Sequence, residues 1–182
     1  METLEGQLLL ASPQLADPNF VRTVLLLVEH NEGGAWGLVL NRPTGITVQE
    51  LWKQVGESSC ESQNPVHIGG PVGAPVMAIH TDGNLSEMEV LQGVHLAAQK
   101  KNLDALVRQD GHFKIFTGNA GWGPGQLEGE IAQGAWKTLP ASAEDIFDVG
   151  DDLWQRLMQR ATTGVLPRML GLKHVPPDPS LN

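Results

Sequence analysis

VRTVLLLVEHNEGGAWGLVL, residues 21–40, is the stretch whose reading decides the fold. Its centre, Val24–Val28, is five apolar residues in a row. A strand with one wet face alternates apolar and polar residues, so an unbroken run predicts a strand over Val21–Glu29 covered on both faces. His30-Asn31-Glu32-Gly33-Gly34 has the composition of a hairpin loop, and Trp36–Leu40 reads as the returning strand. Asn41-Arg42-Pro43 stops it, because proline removes a ladder donor.

Working outward, Gln7–Ala11 predicts a short buried strand that ends before Pro13. Downstream, Thr47 predicts an N-cap for a helix over Val48–Val55, with Glu50 completing a capping box. Val48, Leu51, Trp52 and Val55 then share one face. Further strands are expected at Val66–Ile68, Val76–His80, Glu89–Leu91, His95–Leu96, His112–Phe116 and Trp136–Leu139. Helices are expected at Asn102–Arg108, Pro124–Gln133 and Asp151–Arg160. Ser142–Phe147 fits a turn, a strand or a short helix. No βαβ rhythm runs through these elements, so the class is α+β, a mixed and mostly antiparallel sheet with helices against it.

The length of 182 residues fits one domain. The net charge of −9 opposes direct nucleic-acid binding, which rests on Lys and Arg displacing counterions. A single cysteine, Cys60, rules out an intrachain disulfide. The first residues lack a basic segment, and their apolar run is too short for a signal peptide or a membrane span, so a cytoplasmic location is expected.

Candidate chemistry is sparse. GNAGWGPGQLEGEI, residues 118–131, places a glycine-rich turn between a strand and a helix, the order used by phosphate loops. Gly123 would be the N-cap and Pro124 the first helical residue, with Gln126 reaching back to the Gly123 N–H. Free amides there attract anions. Against this, neither the lysine of a Walker loop nor the spacing of a dinucleotide fingerprint is present. Glu128 and Glu130 also satisfy the helix dipole internally. The alternative is a structural turn plugged by Trp122. Arg42, leaving a strand end, is placed either to fork onto a carboxylate or phosphate, or to pair with one of the chain's acids. The six histidines have no metal-ligand spacing, no nucleophile elbow occurs, and Cys60 lies among acids that oppose thiolate formation. Asp104, Asp110, Asp145, Asp148, Asp151 and Asp152 could pair in space, although most such acids are solvated faces. No metal, cofactor or catalytic residue is expected. The candidate ligand-binding residues are Asn41, Arg42, Gly121, Trp122, Gly123, Gly125 and Gln126.

GQLLLASPQLADPNFVRTVLLLVEHNEGGAWGLVLNRP at 6–43, HIGGPV at 67–72 and GNAGWGPGQLEGEIAQGAW at 118–136 resemble the bacterial YqgE/AlgH family. The resemblance implies a single domain over residues 1–166, while residues 167–182 read by composition as a basic, proline-rich tail. It implies a coiled, partly barrel-like sheet flanked by helices, and a cytoplasmic protein of a family often labelled as transcriptional regulators. It carries over no catalytic residue. Two functional readings follow. One is a non-enzymatic regulatory protein that binds a protein or a small ligand without touching DNA, as a monomer or weak homo-oligomer. The other is an enzyme or sensor for a small anionic metabolite or nucleotide.

Overall fold

The computed structural model describes residues 2–56 and 58–169, with side chains through residue 164. The tail expected beyond Pro167 lies outside the described residues from position 170 onward. Among the described residues there are eleven strands and five α-helices. They are β1 (Gln7–Ala11), β2 (Val24–Asn31), β3 (Gly34–Val39), β4 (Pro43–Thr47), α1 (Val48–Val55), β5 (Pro65–Ile68), β6 (Met77–His80), β7 (Met88–Leu91) and β8 (Val94–Ala97). There follow α2 (Lys100–Leu106), β9 (Phe113–Thr117), β10 (Ala120–Trp122), α3 (Gln126–Ala132), β11 (Trp136–Pro140), α4 (Ala143–Ile146) and α5 (Leu153–Met169).

The α+β class and the mixed, mostly antiparallel pairing are borne out, with two sheets in place of one. The first has the order β10-β3-β2-β1-β11 and is wholly antiparallel. The second has the order β4-β5-β9-β6-β8-β7, and only β5 and β9 run parallel. Both orders are open, so neither sheet closes into a barrel.

Stacking explains the apolar run. Val24, Leu26 and Val28 face a central core shared with Met77, Ile79 and Phe116 of the second sheet and with Leu153 and Leu157 of α5. Leu25 and Leu27 face the opposite layer, with Leu127 of α3, Trp122 and Trp136. The far side of the second sheet buries Ala78 and Ile115 under Trp52 of α1 and Leu103 of α2. Cys60 is part of that same layer, its Sγ donating to the Val107 carbonyl at 3.6 Å. The result is helix, sheet, sheet, helix, with α4 and α5 at the side of the inter-sheet core.

Local signals held where they were short-range. Thr47 Oγ1 accepts from the Glu50 N–H at 3.1 Å, and the Glu50 carboxylate accepts from the Thr47 N–H at 2.8 Å. Ser142–Phe147 resolves as α4, capped by Ser142. Asp145, read as one of several solvated or paired acids, is buried and held by the Arg160 fork at 2.7 and 3.1 Å. β2 starts three residues later than expected, at Val24. The chain before it turns at Arg22, which adopts φ 55, and Asn41 fixes that corner from the next strand.

The two sheets meet at a backbone crossing. The Val39 N–H donates to the Gly69 carbonyl and the Gly69 N–H donates to the Thr117 carbonyl, both at 2.8 Å. Val72 and Asn119 form a bridge beyond it. A Cβ on Gly69 would sit 2.3 Å from the Gly118 carbonyl oxygen, and one on Gly70 would sit 2.2 Å from the Asn119 backbone. Only glycine permits that approach. Gly70→Ala is therefore expected to cost about 3 kcal/mol or more, since backbone on both sides must move. Gly125→Ala, with open space around its Cβ and a positive φ, should cost only about 1–2 kcal/mol. Chemical denaturation of the two variants tests this, and equal losses would count against the crossing as the tighter constraint.

Candidate functional site

The glycine-rich corner is built from the inside out. Ala120–Trp122, which reads as loop by composition, is β10 and pairs with Gly37–Ala35 of β3. The Trp122 ring is buried, with its centroid 6.3 Å from Phe20 and 6.0 Å from Trp136. One carboxylate oxygen of Glu130 accepts both indole N–H groups, from Trp122 at 2.9 Å and from Trp136 at 2.8 Å. The N-cap of α3 is Gly125, at φ 72, which corrects the expectation of Gly123. The reach-back is as expected: Gln126 Oε1 accepts from the Gly123 N–H at 3.0 Å, while its Nε2 donates to Glu130 at 3.1 Å. Glu128 lies 2.9 Å from His30 Nε2, and His30 Nδ1 accepts from the Leu4 N–H. The corner thus spends its polar groups on itself.

Asn41 and Arg42 lie elsewhere. Ala35, opposite Trp122, lies near the start of β3 and Asn41 lies two residues past its end, a span of up to about 20 Å at roughly 3.3 Å per residue. Trp122 lines a small hollow with Glu29, Asn31 and Trp36, whereas Asn41 and Arg42 line a cavity of about 720 Å³ at the other end. The seven expected residues are therefore divided between two places. Asn41 Oδ1 accepts from the Val24 N–H at 2.8 Å, and its Nδ2 donates to the Arg22 carbonyl at 2.9 Å. Arg42 is half-buried; its guanidinium donates to the Val21 carbonyl and forms no salt bridge among the described residues. Burial lowers its pKa.

The large cavity opens where the inter-sheet core meets solvent. Its walls are the Val21–Arg22 corner, the β3–β4 junction, β5, β9 and the segment 148–155. Its size falls within the range of small-molecule sites. Two wall residues were not singled out from sequence: Lys114 and His67. Lys114 lies on β9 two residues before Phe116, so its side chain enters the inter-sheet layer and is 6% exposed. Its Nζ donates to the Asp148 carbonyl at 2.9 Å and to the Leu40 carbonyl at 3.5 Å. Burial lowers its pKa to about 8, against a smaller upward pull from the Asp148 carboxylate. His67, paired with Phe116 in parallel register, is 7% exposed. Burial and the Lys114 charge push its pKa down to about 4. The Pro65 carbonyl biases the ring the other way, yet the buried Nδ1 has no hydrogen-bond partner among the described residues. The available signal for Lys114 was a lysine inside the otherwise apolar HFKIF. For His67 there was none beyond its strand position.

Arg22 closes the rim, its guanidinium carbon 4.8 Å above the Trp154 ring, while the Trp154 indole N–H donates to the Ala11 carbonyl at 2.9 Å. Across from these cations, Asp148 pairs with Arg156, as does Asp152 at 3.2 Å. The wall thus carries the buried Lys114 and His67 with Arg22 and Arg42, beside the acids Asp148, Asp151 and Asp152, and it opens to solvent.

Two outcomes test these assignments. Trp122→Ala should cost about 3–5 kcal/mol by denaturation, as expected for an aromatic core plug. For His67, the folded ring stays neutral down to about pH 4, while the unfolded ring takes its proton near pH 6.5. Between those values the unfolded chain holds more protons, so stability is lost as pH falls through the window, by at most about 3 kcal/mol. His67→Gln should flatten the stability–pH curve there; an unchanged slope would remove His67 as its source.

Comparison with known proteins agrees with the fold and the motifs. The AlgH-like (DUF179) family profile aligns with residues 8–165. A UPF0301 protein of Xanthomonas campestris pv. campestris is 40% identical over 161 residues, covering 84% of this chain and 86% of its own length. A UPF0301 protein of Streptomyces coelicolor is 37% identical over 192 residues, covering 100% of this chain and 97% of its own. The solution structure of the AlgH protein from Pseudomonas aeruginosa matches with a TM-score of 0.73 at 31% identity, over 98% of this chain and 100% of that one. A crystal structure of a Corynebacterium diphtheriae protein matches with a TM-score of 0.71 at 26% identity, over 88% of each chain. The YqgE/AlgH resemblance read from residues 6–43, 67–72 and 118–136 is thereby shown, and the chain belongs to the AlgH-like, UPF0301 family.

Proposed function

We propose that this is a non-enzymatic, cytoplasmic binding protein with a regulatory role, and that a small anionic molecule occupies the cavity at the end of the inter-sheet core. The observation that carries the reading is Lys114, a buried cation lining a solvent-connected cavity beside the unpartnered His67 Nδ1. Burying a charge is costly, and the two carbonyls and the Asp148 carboxylate offset that cost only in part, so an anionic ligand here would stabilise the Lys114 charge further. The regulator label belongs to the family resemblance. The net charge of −9 supports regulation through a ligand or a protein partner over direct DNA contact. Among the described residues no helix is long and apolar enough to cross a membrane.

A second reading, an enzyme or sensor acting on an anionic metabolite, is favoured by the same lysine, because perturbed titratable groups in clefts gather at reactive sites. The glycine-rich corner supports either reading less well, since Glu130 already accepts two indole N–H groups and the Gly123 N–H already donates to Gln126.

Isothermal titration with inorganic phosphate and with succinate tests the proposal. Binding of at least one is expected, weakened at least tenfold in Lys114→Met and unchanged in Gly123→Ala. Affinity equal in wild type and Lys114→Met would place the anion elsewhere. A gel shift at physiological salt should show no complex with DNA; a nanomolar sequence-specific complex would overturn the regulatory mode proposed.

A further inference from the structure

We propose that Lys114 captures a small 2-oxo acid covalently, as an imine on Nζ, with the carboxylate of the ligand held in the same cavity by Arg42. The inference rests on the reading of this cavity as an anion site. It goes further by naming the ligand class and the bond.

The geometry of Nζ is the main support. An ammonium has three N–H directions, and here two are taken by the carbonyls of Asp148 and Leu40. The third has no partner among the described residues, and the residue lines the cavity. When the group is neutral, two N–H bonds can stay on those carbonyls while the lone pair takes the third direction. A lysine so placed is held as a nucleophile rather than as a surface charge. Burial shifts its titration to about 8, so a usable share is neutral near physiological pH. Arg42 reaches the cavity from the β3–β4 junction, and its planar fork suits a carboxylate. The mixed wall of Leu40, Pro43, Pro65 and Trp154 suits a short carbon chain. His67 lines the same cavity beside Lys114, and its neutral ring adds no second positive charge next to Nζ.

The step is balanced without oxidant or reductant. Lys114 releases its extra proton to solvent. The Nζ lone pair adds to the keto carbon, and the π electrons move to oxygen, which gains a proton to give a carbinolamine. The hydroxyl then leaves as water while nitrogen loses a proton, leaving C=N. In its protonated form the imine nitrogen keeps one N–H, which the shorter contact, to Asp148 O, would accept.

The test uses the full chain with pyruvate and sodium cyanoborohydride, intact mass, and peptide mapping over all six lysines. Titrations with pyruvate and with lactate, which lacks the keto group, run in parallel. One reduced adduct mapped to Lys114, absent in folded Lys114→Arg, is the expected result. Its rate should rise about tenfold from pH 7 to pH 9 and then level off, whereas an ordinary lysine gains about a hundredfold over that span and keeps rising. Binding of pyruvate and lactate without any adduct would overturn the imine and leave the anion site standing. Adducts spread over the other lysines would also overturn it. Absence of both binding and adduct would remove the anion site as well.

Discussion

The structure depends on one close approach: Gly69 and Gly70 lying against the backbone of Gly118 and Asn119. Two segments of the chain meet at this point. One leaves β5 and returns to the second sheet as β6, and the other leaves β9 to become β10 of the first. Hydrogen bonds from Val39 through Gly69 to Thr117 tie both sheets to it. Side chains on these glycines would force the sheets apart, because the nearest atoms are backbone and cannot rotate away. HIGGPV and the start of GNAGWG are therefore two sides of one seam.

The seam sets the spacing of the layers, and the layers decide where the cavity falls. Apolar residues of both sheets fill the middle of the inter-sheet space. At the end bounded by Leu40, β5 and β9 the filling stops, and Lys114 and His67 take positions that Leu and Phe occupy further in. Asp148 then closes over Lys114 through its backbone carbonyl. Asn41 and Arg42 hold the Arg22 corner against this opening by bonding its carbonyls. They shape the wall of the cavity as well as lining it.

How much was legible follows the range of each interaction. The α1 capping box, the β2–β3 hairpin and the double-sided burial of VLLLV involve neighbours in sequence or a simple period, and they could be read directly. The start of β2 could not, because Arg22 turns the chain under the control of Asn41, nineteen positions away. β10 was hidden inside a glycine-rich stretch, since its strand character comes from pairing with β3 and not from its own residues. Glu128 and Glu130 could be read as helix-dipole partners. That Glu130 serves two indoles required Trp136 to be in place.

The sequence by itself determined the class, the family and most elements, because short-range patterning, turn chemistry and long motifs carry them. The tertiary structure alone decided that the seven candidate residues divide between two ends of β3, and that the chemically notable groups are Lys114 and His67. Periodicity shows which face of a strand a side chain takes. Whether that face lies deep in a core, on the surface or at the mouth of a cavity depends on how two sheets and a distant helix come together.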